Sequence, residues 1–444
     1  MKRSLQTTAL AATLALAPLT APHAAEPADK ASTTLTRTVA PFSAINLAGA
    51  FDVVITGAGA PAVELSGPAK TLAEIETSVN GDTLTVRQPP RKGWTINLSF
   101  GRPKAPLVVR INAANLKNLR MAGAGDVVLK QFQGQQLSVT TEGAGDLHAS
   151  GSVRDLTLNL NGSGDVDLRQ LSTAGLNVQM RGAGDVLASG ISTELNAEVG
   201  GSGDLTVSEL HANKVNAIMR GPGGISLRGS SQEFRAEVNG SGELDACGMN
   251  TEAVTAILRG PGEACVAGAI KKFDAEVHGS GDLTVRGLQA QSAHAILSGP
   301  GNMILSGSSG TLNAEVTGSG DLDAKNLMVG RAVTRSRGPG NILLNKVSDS
   351  LDAELSGSGE LKASANCKNV KLTMRGPGDV QLDGKSDALS AQLSGSGSLI
   401  ARQLWVSQAE VSVRGPGNAT MNIQNKDSSR LVTYERSGTR ERSN

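Results

Sequence analysis

The sequence predicts an all-β chain wound as a parallel β-helix (β-solenoid), right-handed, with about sixteen coils of 19–20 residues. Three observations carry this. Gly-x-Gly with Ala, Ser or Pro at its centre recurs sixteen times between Gly123 and Gly417, always at a spacing of 19 or 20 residues. Self-similarity at a fixed short period means one supersecondary unit stacked on copies of itself. Apolar residues on both sides of each turn are spaced by two, the pattern of a strand with one buried face: Leu195, Ala197 and Val199 before Gly201, then Leu205 and Val207 after it. No part of the repeat sustains a spacing of three and four, so helices are not expected there. Copies of equal length and order stack in parallel, and parallel crossovers are right-handed.

The elements follow in order. Residues 1–25 read as an export signal: a basic start at Lys2 and Arg3, an apolar run too short to span a membrane, and small residues at Ala24 and Ala25. Residues 26–40 are small and polar and are expected to be a flexible mature N-terminus. Residues 41–121 are strand-rich without clean repeats (FDVVITG, AVELSG, TLTVRQ, INLSF, PLVVRI) and carry Trp94 and several prolines. A solenoid needs an atypical unit over the open end of its core, and this stretch is the candidate cap. Residues 122–422 form the tandem repeat, each unit a short strand, a tight turn, a second strand and a polar return. Residues 423–444 hold Leu431, Val432 and Tyr434 for a small C-terminal cap before a polar, frayed tail. No later segment is apolar enough to cross a bilayer.

Within the repeat, Gly162, Gly164, Gly201, Gly203, Gly279, Gly281, Gly318 and Gly320 are assigned as structural turn residues. From Gly162 onward Ser-centred turns alternate with Ala- or Pro-centred ones, so the true unit is a pair of coils. The outer faces alternate too. Glu198, Glu237, Glu276, Glu315 and Glu354 stand three residues before Ser turns, where Ile218, Ile257 and Ile296 precede Pro turns. Arg181, Arg220, Arg259, Arg337, Arg375 and Arg414 stand immediately before Ala or Pro turns. A continuous column of like charges would repel at coil spacing; alternation separates them and sets each Glu diagonal to an Arg. Solvated structural pairing is preferred here over a functional charge stripe.

With 42 basic and 41 acidic residues, a net charge of +1 steers the chain to neither nucleic acid nor anionic lipid. Aromatic residues make up 2% of the chain, which removes the usual stacking platforms for bases and sugars. Cys247, Cys265 and Cys367 lack partners at metal-ligand spacing. Cys247 and Cys265 fall on adjacent coils but two residues out of register, about 7–8 Å apart as diagonal neighbours, so free thiols are favoured over a bridge.

Candidate sites are few. Asp126, Asp146, Asp165, Asp185 and Asp204 stack on five successive coils and could form a calcium ladder. The column later becomes Gly224, Glu243, Glu263, Asn302, Asn341 and Ser398, which suits turn-capping by short polar side chains beside glycines of positive φ. Turn-capping is preferred, and no metal or cofactor is assigned. A phosphate loop lacks its Lys-Ser/Thr pair and following helix. A carbohydrate-active β-helix enzyme is the alternative reading, but the coils are uniform, without long loops to wall a cleft. His278 and His294 are on neighbouring coils yet far apart along the strand. The pattern breaks locally at Thr334–Arg337, where Arg335 and Arg337 could contact an anion but are read in preference as an ordinary solvated face, and at Trp405. No catalytic residue is assigned.

FSAINLAGAFDVVITG, the VNGDTLTV strand, LKNLRMAGAGDVVL and the GAGDL and GSGDL turns after it resemble the head GIN domain family over roughly residues 40–420. The resemblance implies a β-helical bacterial envelope protein of the autotransporter-adhesin type, although the C-terminus has no amphipathic, aromatic-ended barrel segment. The expectation is a non-catalytic structural or adhesion-type rod, exported to the periplasm, cell surface or medium. Its partner would be a surface glycan or protein, with no nucleic acid and no transmembrane segment.

Overall fold

The computed structural model describes residues 33–89, 107–423 and 434–436. The export signal, Trp94, the INLSF segment and Leu431–Val432 lie outside these residues. The chain is a parallel β-solenoid of about 15 turns, close to the sixteen coils expected.

The first turn consists of β2 (Ala44–Ala48) and β3 (Asp52–Thr56). On one side β8 (Asn118–Met121) and β9 (Val127–Thr141) stack on it in parallel and begin the repeat. On the other side lie β6 (Thr83–Arg87) and β7 (Val108–Asn112), also parallel to it. The pairing then turns antiparallel, with β4 (Ala62–Gly67) on β7 and β5 (Glu76–Asn80) on β6. The short helix α1 (Ala69–Ala73) sinks Leu72 into this end of the core. The expected flexible N-terminus is corrected over part of its length. Thr33–Thr38 form strand β1, which pairs antiparallel with β4 in an alternation of Thr with Leu35 and Arg37 that supplies a full ladder edge.

One coil serves for all. In β14 (Leu205–Met219) the inward residues are Leu205 and Val207, then Leu210 and Ala212, then Val215, Ala217 and Met219. Ser208–Glu209 and Asn213–Lys214 interrupt the alternation, so the coil bends there and has three legs. The polar return is therefore also corrected: its middle leg is a strand that buries Leu210 and Ala212. Within each leg successive coils keep register, with shifts confined to the bends: Leu205 faces Ile225, then come Leu244, Ala264, Leu283 and Met303. Three of the polar residues that turn inward on the middle leg satisfy themselves locally. Thr173, Ser309 and Ser386 donate hydroxyl hydrogens to carbonyls two residues on, at 2.9, 2.7 and 3.0 Å.

The two-coil period has a packing cause. Leu195, Phe234, Phe273 and Leu312 are large where the coil's last inward residue is small: Val199, Val238, Val277 and Val316. On the coils between, Val215, Val254 and Ala293 are small and Met219, Leu258 and Leu297 are large. From Leu195 to Val316 each coil thus holds a near-constant volume, while large and small residues alternate along each column and interdigitate. Ala332 with Ser336 breaks the rule by being small twice, and the Ser336 hydroxyl is buried without a hydrogen-bond partner. Removing volume from such a column should be costly. Leu322→Ala, at a side chain 1% exposed, is expected to lose about 2–4 kcal/mol in thermal or urea unfolding. The same change at outward Asn313 should lose about 0.5 kcal/mol or less. Equal losses would mean that the faces are assigned backwards.

Candidate functional site

The outward side chains form columns along the rod. In the turn column, the Asp146 backbone N–H donates to Asp126 Oδ1 at 3.0 Å. Asp165, Asp185 and Asp204 repeat this bond to Asp146, Asp165 and Asp185, each at 2.8 Å. The ladder stops at Gly224, whose N–H donates to Asp204 at 2.7 Å but which has no side chain to accept in turn. It resumes as Asp282, Asn302, Asp321 and Asn341, where each Asn amide also donates to the Asp below, at 3.0 and 2.9 Å. The reach of one methylene fits this bond, which is why Asp and Asn fill the ladder. One carboxylate oxygen of each of the five aspartates from Asp126 to Asp204 is therefore occupied by a backbone N–H from the next coil.

The turn glycines act for a different reason from the one expected. Of the glycines in the sixteen repeat turns only Gly415 has positive φ, at 129°. The others are needed because stacked turns almost touch: a Cβ on Gly143 or Gly320 would stand 1.7 Å from the carbonyl oxygen of Gly123 or Gly301. Positive φ belongs instead to a second glycine column at the first bend, Gly151, Gly190, Gly229, Gly268, Gly287, Gly307 and Gly384. It stands eight residues after the turn and is visible in the sequence once the coils are aligned. From Pro222 onward the second turn glycine donates to the coil before, as Gly223 does to Gly201 at 3.2 Å, so proline's missing N–H costs nothing.

The Glu and Arg columns meet as expected. Glu198, Ile218, Glu237, Ile257, Glu276, Ile296 and Glu315 face one another in register. Each Glu accepts from the Arg of the next coil: Arg220 on Glu198, Arg259 on Glu237 at 3.2 Å, Arg337 on Glu315 at 2.6 Å and Arg375 on Glu354 at 2.5 Å. Glu237 also takes the Asn239 amide and Arg235, and these donors hold its carboxyl below the usual range. Where Ser298 replaces the Arg, His278 bridges Glu276 at 2.9 Å and Ser298 at 2.6 Å. His294 sits on Asp274 at 3.1 Å, so the two histidines have separate partners. Arg337 is taken by Glu315 and Arg335 stands 4.0 Å from Glu354, so a free anion contact at this break is corrected to carboxylate pairing. Trp405 is exposed, in register with Lys385.

The cysteines are corrected as well. Cys247 and Cys265 form a disulfide between adjacent coils. They are two residues out of register, since Cys265 faces Asp245. An extra residue in the strand at Ala246–Cys247 bends it at the corner and brings the Cα atoms to 5.2 Å, well inside bridging range. Cys367 is buried and free, and burial pushes its thiol up.

A capped solenoid of near-identical coils with ladder-bonded outer columns defines a β-solenoid repeat protein. The chain belongs to the family described as "Putative auto-transporter adhesin, head GIN domain", which it matches over residues 41–208, 188–288, 266–366 and 348–432. No curated protein matches the sequence. Similar solved structures include a putative adhesin from Bacteroides fragilis, 20% identical, with a TM-score of 0.34, 58% of this chain and 97% of that one covered. A second is a putative adhesin from Parabacteroides distasonis, 14% identical, with a TM-score of 0.26 and coverage of 84% and 97%. A third, from the same organism, carries the name putative lipid binding protein, at 16% identity, a TM-score of 0.21 and coverage of 80% and 97%.

Proposed function

We propose that this protein is a non-catalytic, adhesion-type rod of the cell envelope or medium, which presents its outer columns to a surface glycan or protein. The uniformity of the coils supports this most: from Val127 to Ile423 the described strands are joined only by short turns or bends, and no inserted loop walls off a cleft. The family description agrees with an adhesive role. An exported location is supported by the signal-like residues 1–25 and by the Cys247–Cys265 bridge, since disulfides persist in oxidising compartments.

On this reading the Asp126–Asp204 column caps turns, because one oxygen of each carboxylate is already engaged by a backbone N–H of the next coil. The test is a glycan and matrix-protein array probed with the purified protein, with and without calcium. Saturable binding to a defined class, unaffected by chelator, is expected. Turnover of a polysaccharide on the array would replace the reading with the enzyme, and calcium-dependent binding or melting would restore the metal ladder.

A further inference from the structure

One corner of the solenoid is filled unevenly. Along it Lys214 faces Glu233, Glu233 faces Ala253, and Ala253 faces Lys272. Ala253 contributes a single carbon between long neighbours, and beneath it the column is small as well, Val254 between Phe234 and Phe273. The result is a groove of about 650 Å³. Its floor is Phe234, Val254 and Phe273; Lys214, Glu233, Lys271, Lys272 and Gln291 form its rim.

Most charges around this groove are already answered. Lys271 pairs with Glu252 at 3.0 Å, Arg235 with Glu237 at 3.0 Å and Asp274 with His294 at 3.1 Å. Among the described residues Lys214 and Lys272 have no carboxylate within ion-pair distance. Each brings three donors and a positive charge to a concave surface with an apolar floor, while Glu233 and Gln291 supply acceptors. From the coil of Lys214 to that of Gln291 the groove covers four coil steps along the rod, about 19 Å. Such a shape suits an extended chain better than a compact molecule.

We infer that this corner groove binds an acidic oligosaccharide, its carboxylates against Lys214 and Lys272 and its hydroxyls on Glu233 and Gln291. The inference rests on the adhesion-type reading and names its partner. A second depression lies on the same corner, about 240 Å³, where Ala388 stands between Asn369 and Gln408. Seven coils separate Ala253 from Ala388, about 34 Å. Two stations in line let one polymer engage both, which raises avidity through effective concentration.

The experiment is calorimetric titration of the purified protein with oligogalacturonate, beside a neutral dextran oligosaccharide and poly-glutamate of similar length. Oligogalacturonate should bind and dextran should not. Ala253→Trp, which fills the groove, and Lys272→Glu, which reverses its charge, should each weaken binding at least tenfold with unchanged circular dichroism. Lys385→Glu, on another face, should leave it unchanged. Absence of oligogalacturonate binding, or equal loss in Lys385→Glu, overturns the proposal. Dextran binding as tight as oligogalacturonate removes the requirement for acid, and poly-glutamate binding as tight assigns the groove to protein partners; both overturn it too. Array binding that survives such a result leaves the adhesion-type reading standing.

Discussion

Gly320→Ala is expected to destabilise the rod by about 3 kcal/mol or more, an unusually large loss for one added methyl group. Its Cβ would stand 1.7 Å from the Gly301 carbonyl oxygen and 2.9 Å from the Pro300 carbonyl carbon, both backbone atoms of the coil below. Backbone cannot swing aside as a side chain does, so two coils must part, and with them the ladder bonds on either side of the turn. Gly200→Ala is the control. It lies one residue from a turn, its φ is not positive, and its added Cβ would meet only the Met180 carbonyl oxygen at 3.6 Å. That change should stay within about 0.5 kcal/mol. Urea unfolding of the two variants checks the pair. Similar midpoints would mean that the turn glycines are chosen for flexibility rather than for close approach.

The second large effect is electrostatic. Replacing Ile218, Ile257 and Ile296 with Glu makes one unbroken acidic column from Glu198 to Glu315, since all of these positions face one another in register. Neighbouring carboxylates would stand about 4.8 Å apart. The Arg column answers at most one of each two, because Arg220 and Arg259 are already on Glu198 and Glu237. The screening length is about 30 Å at 0.01 M salt but falls to about 3 Å at 1 M, shorter than the column spacing. The triple variant should therefore melt several degrees below the parent at low salt and regain most of the difference as salt is raised. Reversing one exposed pair, Glu315 with Arg337, should change stability by only about 0–1 kcal/mol. A triple variant that melts like the parent at every salt concentration would show that the alternation serves something other than charge spacing.

The repeat was legible in the sequence because each inward residue recurs in register: the period at Gly201 and Gly221 is the stacking itself. The diagonal Glu–Arg pairing was legible for the same reason. What escaped reading lies at the bends. Leu210 and Ala212 are only two inward residues between polar pairs, too short a run to announce a strand leg. The same corners hide the disulfide, because one extra residue at Ala246–Cys247 changes which atoms meet without disturbing the period. Turn glycines suggest positive φ by habit, yet most of those here answer to a neighbour 19 or 20 residues away. The corner groove was hidden in a similar way. Glu233, Ala253 and Lys272 look unrelated along the chain and become a rim only when the coils are stacked.

The solenoid is held by parallel stacking of each coil on the next, and distances along one outward column measure it. Thr206, Ser226, Asp245, Cys265, Thr284, Ile304 and Asp323 face one another in succession, and the same column continues through Leu343 and Lys362 to Gln381. Spin labels at Thr206 and Asp323 are six coils apart, and labels at Thr206 and Gln381 are nine. With Cys367 replaced by Ser, pulsed electron resonance should give narrow distributions centred near 29 Å and 43 Å, a difference of three coil steps of about 4.8 Å. Equal distances, or broad ones that do not grow with the number of coils between the labels, would contradict the stacked solenoid.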